Sequence, residues 1–163
     1  MKLSLVNRFP CPPEVLWDLF ADVEFERRLE DTSGVHVEQT AAWTEGTLEC
    51  RRLKCESKKE LPSLVAKAIG SAHLSYDQVT RLDRAANRLE WEVIPAFLAD
   101  KVTAKGTTVA TATPTGSERR IEGDITVRLP VIGGRIEKVI VERVEESYVR
   151  AAELVLTMLK EQG

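Results

Sequence analysis

The sequence predicts an α+β fold: a curved antiparallel sheet of about six to seven strands wrapped around one long C-terminal helix, with two short helices after the first strand. Residues 130–159 carry the longest helical pattern. Ile136, Ile140, Val144, Ser147 or Tyr148, Ala151, Val155 and Met158 or Leu159 recur at three- and four-residue steps, opposite Arg135, Glu137, Lys138, Glu142, Arg143, Glu146, Arg150 and Glu153. From Gly34 to Leu129 the pattern is instead alternating strands and short turns, which gives a sheet with one wet and one dry face. The helix, roughly 40 Å long at about 1.5 Å per residue, is the one element long enough to cover that dry face.

Each element follows from its own residues. Alternation over 2–9 (Leu3 and Leu5 against Lys2 and Ser4) gives a first strand, and Cys11-Pro12-Pro13 stops it. Proline suits a first helical turn, and Val15, Leu16, Leu19, Phe20 and Val23 then follow helical spacing, so one helix of about ten residues and a second through Arg28 are expected, broken near Asp22. Val35 and Val37 oppose His36 and Glu38 on a strand, Glu45–Thr47 turns the chain, and 47–58 returns. In "ELPSLVAKAIG" the apolar residues fall at helical steps, with Pro62 in a first turn and Gly70 as a C-terminal cap. Strands then resume over 73–83, 88–96, 100–114 and 119–130. The last alternates cleanly, with Ile121, Gly123, Ile125, Val127 and Leu129 inward and Arg120, Glu122, Asp124, Thr126 and Arg128 outward.

Composition narrows the function. One domain spanning 1–163 is expected, large enough for a core without staples. A net charge of -3, with 23 Lys and Arg interspersed among 26 Asp and Glu, argues against a nucleic-acid partner. No apolar run is long enough to span a bilayer, and the first residues leave no room for a signal-peptide core, so a cytoplasmic location is expected. Cys11 stands alone, and the odd spacing of Cys50 and Cys55 on a strand sends their side chains to opposite faces, so free thiols are expected.

The helix stripe is thin in its middle (Ser147, Ala151, Ala152), and several inward strand positions are small (Ala104, Gly106, Ala110, Ala112, Gly123). Small residues facing small residues either bring helix and sheet together or leave a cavity.

The insertion "ELPSLVAKAIG", the closing "DITVRLPVIGGRIEKVIVERV" and the helix opening "CPPEVLWDLFAD" carry a resemblance to the START-like (SRPBCC) helix-grip superfamily, which includes the Bet v 1-like plant proteins and the polyketide cyclase group. The match is closest to the uncharacterised bacterial family "domain of unknown function 2505" and covers essentially the full length. It implies a cavity for a hydrophobic or lipid-like small molecule between sheet and C-terminal helix. It implies no cofactor and no assigned activity.

On this reading Tyr76, Trp91, Val93, Ile125 and Val127 from the sheet face Ile140, Val144, Tyr148, Ala151 and Val155 from the helix across a cavity, with plain core packing as the alternative for each. Trp91 and Tyr148 stand out because each buried polar handle wants a partner. The inserted helix (Leu61, Leu64, Val65, Ile69) and the loop with Phe97 and Leu98 either simply cover the core, as short amphipathic elements usually do, or form a lid or mouth that could touch a membrane transiently, helped by Lys58, Lys59 and Lys67. Gly133-Gly134 serves either as a hinge or as a tight strand-to-helix turn. His36 and His73, the two histidines, read as outward, and no metal, nucleotide or triad spacing is present. A cyclase-like enzyme in which Tyr76, Tyr148 or Arg52 orients the substrate is the second reading. A ligand-free protein-interaction domain is the third.

Overall fold

A computed structural model describes residues 1–163. Strand β1 (Lys2–Phe9) leads into helices α1 (Pro13–Phe20) and α2 (Val23–Ser33), then β2 (Val35–Glu45) and β3 (Leu48–Ser57). Helix α3 (Ser63–Ile69) interrupts the strands, which continue as β4 (Ser75–Asp83), β5 (Arg88–Pro95), β6 (Val102–Thr113) and β7 (Gly116–Val127) before α4 (Gly133–Gln162). The sheet has seven strands in the order β1-β7-β6-β5-β4-β3-β2, with every neighbouring pair antiparallel. Consecutive hairpins supply most of that order. The exception is β1, which leaves α1 and α2 behind it and pairs with the last strand.

The break near Asp22 is present, and its side chain accepts the Glu24 N–H at 2.7 Å as an N-cap. Helix α2 continues five residues beyond Arg28, to Ser33, where Gly34 takes a left-handed φ of 69°. Only glycine adopts that conformation without a Cβ penalty, so the stop lies at the glycine and not at the end of the apolar spacing. His73 lies just before β4 and is exposed; His36 points outward on β2, 3.0 Å from Glu30.

Directly paired residues share a face, so the registers define the concave side. Leu3 pairs Gly123 and Asn7 pairs Arg119 across β1 and β7; Trp91 pairs Gly106 across β5 and β6. Tyr76, Gln78 and Thr80 on β4 sit opposite Cys55, Leu53 and Arg51 on β3. On β3 the inward set is thus odd-numbered, and Cys50 and Cys55 lie on opposite faces. All three cysteines are free. A register shift between Gln39 and Ala41 bends the outer strand.

Two packed clusters fill much of the interior. One joins Ile121, Ile125, Val127 and Trp91 to Ile136, Ile140 and Val141 at the start of α4. The other joins Phe9, Leu16, Trp17, Leu19 and Phe25 to Ala151, Ala152, Leu154, Val155 and Met158 near its end. Burial of Ala152 and Leu154 widens the helix stripe there, because α1 and α2 pack against α4 as well as against the sheet. The Gly106 and Gly123 positions are not empty. A Cβ on Gly123 would stand 2.5 Å from Trp91 Cη2 and Cζ2, so the indole occupies the notch that the two glycines leave. Gly133 serves the turn: a Cβ there would meet Val127 O at 2.5 Å.

Candidate functional site

Between the two clusters the interior opens. A cavity of about 610 Å³ lies beneath α2 and the middle of α4, lined by 30 residues of which 19 are hydrophobic. Helices α1 and α2 contribute Trp17, Phe20, Phe25 and Leu29. The sheet contributes Val35, Val37, Leu53, Leu82, Leu89, Trp91 and Val93, and α4 contributes Val144, Ser147, Tyr148 and Ala151. The thin middle of the helix leaves room above a sheet that curves away from it.

The predicted residues divide between void and core. Trp91, Val93, Val144, Tyr148 and Ala151 line the cavity. Ile125, Val127 and Ile140 sit in the first packed cluster, Tyr76 packs beside it, and Val155, fully buried, sits in the second. The lid candidates do not border the void. Leu61 and Val65 are buried in the first cluster, Ile69, Phe97 and Leu98 pack against it, and Leu64 is exposed. Lys58 and Lys59 pair with Glu30 and Glu146 at 3.2 and 3.3 Å, tying the flank of α3 to α2 and α4. Arg52 is on the convex face, its Nε 2.8 Å from Asp77, so it cannot orient anything inside.

Three guanidinium groups line the cavity. Arg51 bridges from β3 to α2, with Nη1 donating to Glu26 at 2.6 Å and Nη2 to Phe20 O at 3.3 Å. Arg84 pairs with Asp18 at 2.9 Å and with Glu49. Arg119 is different. It is 3% exposed and has no acidic partner; Nε and Nη2 both donate to Asn7 Oδ1, at 3.2 and 2.6 Å. Aromatic rings surround the guanidinium, with Phe20, Phe9 and Tyr148 centroids at 4.6, 5.4 and 5.6 Å. Such faces stabilise a desolvated cation by about 2 kcal/mol or more each, against an effective desolvation cost of several kcal/mol for a buried ion. Burial pushes its pKa down to about 10, which leaves it charged at neutral pH.

The buried phenols and the buried thiol stay neutral. Burial pushes the Tyr148 phenol up to about 12 and raises that of Tyr76 further; the Cys55 thiol, also buried, rises to about 12. A thiol so shifted is a poor nucleophile. The indole Nε1 of Trp91 is buried without a hydrogen-bond partner. The arrangement therefore offers apolar surface, neutral donors and one unneutralised cation.

Arg119 is absent from the expected site residues, although β7 carried the signal for it. With Ile121 and Gly123 inward, continuing the alternation two residues back puts Arg119 on the same face. The helical contributions of Trp17, Phe20, Phe25 and Leu29 carried no such signal, because apolar helix residues look alike whether they meet core or void.

The fold is shared with solved structures. The chain is similar to TTHA0849 from Thermus thermophilus at 19% identity and a TM-score of 0.66, covering 97% of this chain and 99% of that one. Ara h 8.0201 matches at 10% identity, TM-score 0.65 and coverages of 96% and 98%. A START superfamily protein from Mycobacterium smegmatis matches at 13% identity, TM-score 0.62 and coverage of 99% of each chain. No curated protein matches. The curved sheet gripping α4 is thus the START-like, Bet v 1-like fold, and no helix is long and apolar enough to cross a membrane. Residues 4–159 match the family described as "Protein of unknown function (DUF2505)", and the chain belongs to that family.

Proposed function

We propose that the protein binds a hydrophobic, lipid-like small molecule in the cavity between sheet, α2 and α4. The observation that carries this reading is the void itself. At about 610 Å³, with 19 of 30 lining residues hydrophobic, it falls within the size range and lining chemistry of small-molecule sites, roughly 300–1,000 Å³. A packed core of this composition would close such a space, because interiors approach crystal density. On this reading Trp91, Val93, Val144, Tyr148 and Ala151 contact the guest, joined by Phe20, Phe25, Leu29 and Leu53. The helix-grip resemblance supports the same chemistry, since lipid-like ligands are common across that superfamily. Three free thiols agree with a reducing, cytoplasmic setting.

Native mass spectrometry of the purified protein, followed by organic extraction, tests the proposal. A defined co-purifying apolar molecule is expected, with uptake of the neutral probe N-phenyl-1-naphthylamine after its removal. A clean apo mass together with no probe uptake would overturn the reading and favour a domain that works through protein contacts.

A further inference from the structure

We infer that the guest is an amphipathic monocarboxylate whose carboxylate pairs with Arg119 while its apolar body lies along the cavity walls. This rests on the cavity being a ligand site, as proposed above. Of the three cations lining the cavity, Arg51 has Glu26 and Arg84 has Asp18 and Glu49. Arg119 is the most deeply buried of them and has only the amide oxygen of Asn7. That contact occupies the Nε–Nη2 edge. The Nη1 end, with the second Nη2 proton, donates to no protein group and presents the planar fork that a carboxylate accepts bidentately.

The identity of residue 7 sharpens the argument. The register places it directly opposite Arg119, within reach of the guanidinium. Aspartate has the same shape as asparagine and would neutralise the cation in place. A neutral amide fixes the guanidinium and leaves its charge for another group. One unneutralised positive charge among apolar walls matches one negative charge. A dianionic phosphate would leave a charge uncompensated in a poorly solvated space.

Displacement of N-phenyl-1-naphthylamine from delipidated protein by matched pairs provides the test: dodecanoate against dodecanol, and 2-naphthylacetate against 2-(2-naphthyl)ethanol. Each acid is expected to outcompete its alcohol on the order of tenfold or more, the scale of a charge pair away from water. Asn7→Asp gives Arg119 an internal carboxylate. It is expected to raise Tm and bring the acids down to the level of the alcohols, whose own affinity stays unchanged. Arg119→Gln should abolish the acid preference in the same way, and the isosteric Asn7→Asp keeps the test open where removing a caged arginine impairs folding. Equal displacement by acid and alcohol in the wild type would overturn the inference while leaving the cavity reading intact. So would probe binding that no acid displaces. An Asn7→Asp variant that gains stability yet keeps its acid preference would make Arg119 a structural bracket. Failure of the probe to bind, together with no co-purifying apolar molecule, removes the site and the inference with it.

Discussion

Two stretches of the same concave face meet α4 in opposite ways. Toward the start of the helix, small residues on β6 and β7 form a socket: the Trp91 indole lies over Gly106 and Gly123, and Ile121, Ile125 and Ile136 around it are 1% exposed or less. Under the middle of the helix, Ser147 and Ala151 look across at Leu53 and Val93 and leave about 610 Å³ between the walls. Both regions pair small residues with large ones. The difference is whether a bulky side chain on a neighbouring strand can reach the space the small ones leave. Trp91 reaches the glycine notch, whereas the cavity that Ser147 and Ala151 line, Ala151 from the edge of the second cluster, stays open. Small inward residues therefore signal either a socket or a hollow.

Substitutions that add volume test this contrast. The largest effect is expected at the socket: Gly123→Ala puts a methyl 2.5 Å from two indole carbons and 2.9 Å from Lys105 O. It should cost about 3 kcal/mol in urea denaturation, at the upper end of overpacking penalties. In a Trp91→Ala background the same change should cost about 1 kcal/mol, because contacting residues couple. A full cost in both backgrounds would place the clash on the strands and not on the indole.

At the hollow, Ala151→Leu adds more volume yet should cost about 1 kcal/mol or less, since the side chain can extend into open space. It should also reduce uptake of N-phenyl-1-naphthylamine. A penalty equal to that of Gly123→Ala would erase the contrast.

The smallest effect concerns alkaline pH. Burial raises the Tyr148 phenol from an ordinary 10.0 to about 12, so over that interval the unfolded chain ionises while the native protein keeps its proton. The unfolded state then binds fewer protons, and stability falls as pH rises from about 10 through about 12. Tyr76 and Cys55 act in the same direction. Arg119, held below its ordinary value, opposes them over the same range. Denaturation curves across that range should show a net decline, made shallower by Tyr148→Phe; a slope unchanged by that substitution would mean the phenol is hydrated through the cavity.

How much was legible varied with range. The alternation on β7 and the spacing on α4 gave both elements and their inward faces, since period and handedness are local properties of the backbone. The end of α2 was misplaced because residues 30–33 are all polar and extend no apolar spacing, and the decisive residue was a glycine whose left-handed turn is a structural choice. Among the site candidates, Trp91 and Tyr148 reach the cavity while Ile125 and Val155 lie in solid core. All four are inward; the polar handles of Trp91 and Tyr148 set those two apart in the sequence, whereas nothing in an aliphatic side chain such as Ile125 or Val155 tells core from wall.

The α+β class, the strand and helix order, the facing of β7 and the thin middle of α4 are written along the chain, because each follows from repeats of two or of three to four residues. Where the interior is full and where it is hollow, and the enclosure of Arg119 with an amide and three rings but no acid, emerge only once the chain has folded. Those outcomes depend on which side chains from distant strands and helices meet at one point, and residues as far apart as Asn7, Phe20, Arg119 and Tyr148 come together only when β1 joins β7 and the helices close over them.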